Sequence, residues 1–430
     1  LNDAVKHFQL VLDQCPVSYP DCAAALTNLA WARLQGYIRN NLHDIDSITS
    51  LFREVLVLRP QGHPDHLLSI YHLTSALTWR YGKEHTVVYI HRSTQLFCKL
   101  SPLYPEGSYF RSIVVGANGV DYVIRECNNL PTDAFDEGIH LRRVVLELCP
   151  LGNKRRPRAL HELAQAVEQR FQQHGSIDDL DECIQCRREA VSLCCEGHSE
   201  RGTYLNNLAS SLSHRFDHQG TSGDLNETIS LYKEVLRLRP VGHKYRDLSL
   251  NNLGAVLLTR FNQCNDINDI TRAISLQRKA LMLRPLGNPY HDSKLNNLAL
   301  ALQIRCGKLD ASEDLDEAID LYRGSLQLTW HGDTLRHTIL PNLSAALSSR
   351  FTHTRKNEVI EEAIRLCQEP LEDLPSLHPD RYFSYRWLQQ AYLSRYRAQH
   401  NLADLSLAVE SFRLPSRHPT QGFPCCKARK

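Results

Sequence analysis

The sequence predicts an all-α protein, a solenoid of stacked helical hairpins, and three observations carry that prediction. Pro60, Pro105, Pro150, Pro240, Pro285 and Pro375 fall on one 45-residue grid, and Arg80, Arg125, Arg170, Arg215, Arg260, Arg305, Arg350 and Arg395 fall on a second. Each period holds two apolar runs at helical spacing, as in Leu205, Leu208, Leu212 and Phe216, then Leu225, Ile229, Tyr232 and Leu236. No unit shows the strict alternation of a strand. A two-helix unit cannot bury its apolar stripe alone, so the units must stack.

Taken in order, residues 1–21 read as the C-terminal half of a truncated repeat, with Ala4, Val11 and Pro16 at the positions of a second helix. Residues 22–420 read as nine hairpins of about 45 residues, best matched over 158–375 and least well over 111–150, where Asn118 stands in a leucine position. The last hairpin is defective, because Pro415 is expected to break its second helix early, and 421–430 is a non-repeat tail. Within each unit the second helix, helix B, opens on candidate capping boxes: Asn41/Asp44, Ser176/Asp179, Thr221/Asp224, Asp266/Asp269 and Asn401/Asp404. The grid proline stops it. Two residues later Gly62, Gly107, Gly152, Gly197, Gly242, Gly287 and Gly332 supply the φ freedom for the turn into the next helix A.

Composition narrows the function. Fifty Lys and Arg against 48 Asp and Glu leave no global field to attract nucleic acid or an anionic membrane, so neither is an expected partner. No apolar run is long enough to span a bilayer, and LNDAVKHFQL lacks the pattern of a secretory signal. The 14 cysteines sit mostly in packing positions, Cys183 in an alanine column and Cys306 in a phenylalanine column, which points to reduced thiols and a cytoplasmic setting. Met282 is the sole methionine, so the chain is expected to be processed or cut from something longer.

Leu253, Gly254 and Leu257 in helix A, with Ala273, Ala280 and Pro285 in helix B, resemble the tetratricopeptide (TPR) repeat, although Gln277 replaces an aromatic. The resemblance implies a right-handed superhelix whose helix A lines the concave groove, and a role in binding peptides or partner domains. The fuller string LNNLxxxLxxRFxxxxxxxDLxxAIxLxxxxLxLRPxGH is similar to the long repeats of mushroom-type fungal proteins, which often precede a CHAT domain, a caspase-like protease module.

Motifs of catalysis are missing: there is no GxxxxGK[ST], GxSxG or HExxH, and no enzyme activity, cofactor or metal is expected. His174-Gly175 and His331-Gly332 lie on repeat turns, not in a catalytic dyad. Cys183, Cys186, Cys194, Cys195 and His198 have zinc-like spacing, but the cysteines occupy packing slots. His63, His198, His243 and His378 share a turn position with Asn153, Asn288 and Asp333, whose common capacity is to bond a local backbone group. Asp179, Asp224, Asp269, Asp314 and Asp404 follow Arg170, Arg215, Arg260, Arg305 and Arg395 by nine residues, which points to bracing inside the molecule, with Arg350 in the same column; a partner-binding basic stripe is the alternative. Asn207, Asn252, Asn297 and Asn342 precede the central leucine of four successive helices A, with Asn28 equivalent in the first. By resemblance to the array of O-linked N-acetylglucosamine transferase they form a ladder that pairs with a peptide backbone; equally, their amides tie neighbouring helices together.

The expected function is therefore a non-catalytic protein-interaction scaffold with a peptide or partner domain in its groove. The alternative is the sensor arm of a CHAT-type protease whose catalytic module lies outside these residues.

Overall fold

The computed structural model describes residues 2–15, 19, 21–40, 44–100, 125, 135–285, 287, 290–330, 333, 335–374 and 381–416. Among them are eighteen helices and no strand, in two compact units, Leu1–Cys195 and Glu196–Lys430. The first unit holds α1 (Asn2–Asp13), α2 (Cys22–Asn40), α3 (Ile45–Leu58), α4 (His66–Glu84), α5 (Val87–Leu100), α6 (Phe135–Leu148), α7 (Arg156–His174) and α8 (Ile177–Ser192). The second holds α9 (Arg201–Gln219), α10 (Ser222–Leu238), α11 (Arg246–Cys264), α12 (Ile267–Met282), α13 (His291–Leu309), α14 (Ser312–Leu328), α15 (Arg336–Thr354), α16 (Asn357–Asp373), α17 (Arg381–Gln399) and α18 (Leu402–Ser416). Helices A of the second unit are each nineteen residues long; each packs on its own helix B, and α11, α13, α15 and α17 also pack on the helix B before them. This is the all-α stacked-hairpin solenoid that the periodicity predicts.

The core follows from the apolar columns. In the second unit one continuous cluster runs from Ala209 to Ala408, and Phe261, Tyr322 and Phe351 are almost completely buried within it. The first unit divides its core among smaller clusters, one around Leu34, Phe52 and Leu77 and another around Phe97, Leu141 and Val145. Gly254 shows why helix A carries a glycine: a Cβ there would stand 2.9 Å from Gln277 Cγ and 3.2 Å from the Ala273 carbonyl oxygen of helix B. That close approach seats the two helices of the hairpin.

Turn chemistry is doubly periodic. The glycine after each described grid proline, and Gly197 after Cys195, has φ between +87° and +100° at Gly62, Gly152, Gly197, Gly242 and Gly287; Gly107 and Gly332 lie outside the described residues. A second left-handed column closes helix A at His85, Gly175, Gly220, Asn265, Asp310, Arg355 and His400. Each donates its amide to the carbonyl four residues back, such as Gly220 to Phe216 at 2.7 Å and Arg355 to Phe351 at 2.9 Å.

Two local expectations are corrected. The capping boxes do not form: Ser176 and Thr221 make no side-chain cap bond, while Asp266 and Asn401 accept the amide two residues on. Asp44 is itself the cap, accepting from Asp46 and Ser47, and Asn41 lies outside the described residues. The other four acids expected to close the boxes, Asp179, Asp224, Asp269 and Asp404, are buried and turned toward arginine, because a charge-assisted pair in a dry site outweighs an exposed cap. Nor does Pro415 break the last helix early, since α18 continues to Ser416; so close to the C-terminus a missing amide removes only one terminal bond.

Candidate functional site

The arginine column lies one turn from the end of each helix A, and its partner acid lies in the first turn of helix B. Arg170, Arg215, Arg260, Arg305 and Arg395 each give two parallel bonds through Nε and Nη2 to Asp179, Asp224, Asp269, Asp314 and Asp404, with distances of 2.6–3.0 Å. The aspartates are buried, from 7% exposure at Asp179 to 1% at Asp404. The bonds from Asp269 and Asp314 push Arg260 and Arg305 above the ordinary arginine value.

Where the acid nine residues on is absent, the arginine finds other partners. Arg80 faces Tyr89 at that place, with the guanidinium 3.8 Å from the ring centroid, and bonds Asp46 on α3 and Glu84. Arg350, which has Val359 there, reaches Asp316 on α14 at 3.3 Å. Arg170 to Asp136 and Arg395 to Glu361 repeat this link to the preceding helix B, an acid 34 residues back that the sequence analysis did not single out. Further ladders join successive helices B: Arg143 to Glu182, Arg278 to Glu317 and Arg323 to Glu362.

The asparagines form two columns that bond each other across repeats. Asn252 Nδ2 donates to Asn206 Oδ1 at 3.4 Å, Asn297 to Asn251 at 3.0 Å, and Asn342 to Asn296 at 3.2 Å. Asn207 accepts from Asn206 within α9, and Asn28 stands exposed on α2. The interlock is a tie between neighbouring helices A. It does not exhaust the group, since a carboxamide has two donor hydrogens and two lone pairs.

At the turns His63, His198 and His243 accept at Nδ1 from the amides of Asp65, Glu200 and Tyr245 at 3.0–3.2 Å, as Asn153 and Asp333 do through their Oδ1 atoms. His378, Asn288 and the pair His331-Gly332 lie outside the described residues. Cys183, Cys186 and Cys194 are buried and Cys195 is exposed; burial pushes the Cys186 thiol up to about 12, against the thiolate that zinc requires. No group of three or more metal-ligating side chains occurs among the described residues, and no described helix is long and apolar enough to cross a membrane.

Two clefts open in the second unit. One of about 470 Å³ crosses three consecutive helices A, α13, α15 and α17, and is lined by Gln303, Ser349, His353, Trp387, Gln390 and Ser394. The other, about 600 Å³, lies where the turns before α9 and α11 meet the start of the asparagine columns.

No family model matches the chain, and no curated protein matches it either. Among solved structures, nearly identical TPR-like repeats from Podosopora anserina are 17% identical over 61% of this chain and 97% of theirs, with a TM-score of 0.30. A human IFIT1 dimer with PPP-AAAA is 15% identical, covering 96% of this chain and 91% of that one, with a TM-score of 0.44. Aspartyl phosphate phosphatase F from Bacillus subtilis is 13% identical over 93% and 96%, with a TM-score of 0.43. At such identities the chain is similar to these structures in fold alone.

Proposed function

We propose that the chain is a non-catalytic scaffold that binds an extended peptide, or an extended segment of a partner domain, across the helix A faces of consecutive repeats. The observation that supports this reading is the cleft spanning α13, α15 and α17. Its walls carry hydroxyls and carboxamides around one indole, Trp387, with Lys308 and Asp310 also on the lining, and its volume of about 470 Å³ falls in the range of small-ligand sites. Carboxamides and hydroxyls bond a peptide backbone without reading its side chains, and an indole provides a flat anchor. The column Asn207, Asn252, Asn297 and Asn342 would extend the contact, using the hydrogens and lone pairs left over from its bonds between repeats. That the scaffold is the recognition arm of a CHAT-type protease rests only on the resemblance of the repeat string.

Selection of a random peptide library on the full chain tests the reading. Peptides that bind should lose at least about ten-fold in affinity when Trp387→Ala and Gln390→Ala are combined, with the circular dichroism unchanged. Binders indifferent to both substitutions, or a single-stranded oligonucleotide that competes for the cleft more strongly than any peptide, would overturn it.

A further inference from the structure

The 45-residue register lets one repeat serve as the control for another. Arg284, after α12, donates through Nε to Asp247 Oδ2 at 2.9 Å and through Nη2 to Oδ1 at 3.3 Å, and Lys294 Nζ reaches the same carboxylate at 3.1 Å. One repeat earlier Arg239 takes the place of Arg284, Gly202 that of Asp247, and Ser249 that of Lys294. The carboxylate is gone and the guanidinium remains.

Arg239 is only 5% exposed. It donates to Ser249 Oγ at 2.9 Å and to the Gly202 carbonyl at 3.2 Å, and lies 5.6 Å from the Tyr245 ring centroid. None of the described carboxylates forms an ion pair with it, whereas Arg59, in the same register, has Asp65 at 3.5 Å. Burial holds Arg239 below the ordinary arginine value, partly offset by Tyr245 and Asp247. A desolvated guanidinium with no carboxylate in ion-pair contact is costly, so an anion from outside would be strongly favoured there.

The site is open to receive one. The cleft of about 600 Å³ is lined by Arg239, Gly202, His198, His243, Lys244 and Asn207, with Glu200 the acid on its wall. Because His198 and His243 accept backbone amides at Nδ1, each neutral ring carries its proton on Nε2, as a donor. A Cβ at Gly202 would stand 3.6 Å from Arg239 Nε, ordinary contact distance, so a side chain can leave the backbone there without a clash at its first atom.

We propose that this cleft receives a carboxylate from the partner, an aspartate or glutamate side chain of a bound peptide, seated on Arg239 where the next repeat seats its own Asp247. The inference rests on the scaffold reading and gives the peptide its chemistry: acidic at this position, with Asn206 and Asn207 on the lining of the same cleft to meet the adjoining backbone. A carboxylate matches the planar fork of arginine, and the following repeat already displays that pairing.

The probe is a fluorescein-labelled tetraglutamate peptide, read by anisotropy on the full chain at low salt, beside a tetraglutamine control and inorganic phosphate as competitor. Tetraglutamate should bind and tetraglutamine should not. Gly202→Asp supplies the missing carboxylate in place, so it should weaken tetraglutamate by about ten-fold or more while raising the unfolding midpoint. Arg239→Met should weaken it equally without lowering the midpoint, because a buried unpaired charge is replaced by an apolar chain; a merely structural arginine would lower it. Tetraglutamate that fails to bind, or binds both variants as it binds the parent, overturns the proposal, as does phosphate binding more tightly than tetraglutamate. If the acidic probe fails while library peptides still depend on Trp387, this inference falls and the scaffold stands. Loss of the Trp387 dependence with the acidic probe intact has the opposite meaning.

Discussion

Arg260 gives two parallel bonds to Asp269, which is 2% exposed, so removing the arginine leaves a carboxylate in a dry pocket without its counter-charge. Arg260→Met should cost about 3 kcal/mol in urea unfolding, the lower end for buried pairs because the arginine itself is partly solvated. Adding Asp269→Leu should recover most of that loss. His72 makes a different prediction. Its ring sits 5.2 Å from Trp31 and 5.9 Å from Phe52, and its Nδ1 is buried without a hydrogen-bond partner among the described residues. Burial, with a contribution from Arg59, holds its pKa at about 4 against 6.5 for an ordinary histidine. The unfolded chain therefore binds the proton first as pH falls. Stability attributable to His72 is constant above pH about 6.5 and declines between 6.5 and 4, by about 2 kcal/mol at pH 5. His72→Leu should remove that slope from the pH dependence of the first unit.

The hairpin owes its closure to two left-handed positions, one at each turn, and the two are filled differently. Glycine fills every described position after the grid proline, whereas the end of helix A holds glycine at Gly175 and Gly220 but His85, Asn265, Asp310, Arg355 and His400 elsewhere. A β-carbon in this conformation crowds the following carbonyl, a cost that asparagine and aspartate offset by local side-chain hydrogen bonds and arginine does not. Arg355→Gly should stabilise by about 1 kcal/mol, and Gly220→Ala should destabilise by a similar amount; thermal melts of the two single variants check both. The column was legible as Gly, Gly, Asn, Asp at successive 45-residue steps. The remaining steps, His85, Arg355 and His400, carry side chains outside that series, so the column as a whole has no residue signature.

The two compact units differ in how their cores are joined. One apolar cluster links Ala209 to Ala408, while the described core of the first unit falls into smaller clusters bridged only by half-buried side chains such as Leu56, Tyr89 and Leu96. Expressed alone, residues 196–430 should remain helical and unfold in one transition, and hydrogen exchange in the full chain should be slower in α11 to α15 than in α2 to α5. A multiphasic melt of the isolated unit would contradict the continuous core. The helices, the glycine turn after each helix B and the spacing that sets an arginine near an acid are legible in the residues alone, because these depend on contacts within one period and every period repeats them. It takes the packed fold to show that Asn252, Asn297 and Asn342 bond a neighbouring asparagine 46 residues back, that arginines reach an acid 34 residues back, and that Arg239 lacks the carboxylate Arg284 has. Those partners come from the stagger of one hairpin against the next. A periodic string states that the units stack, but the stagger is set by side-chain packing between them, and with it which of several equally spaced polar groups meet.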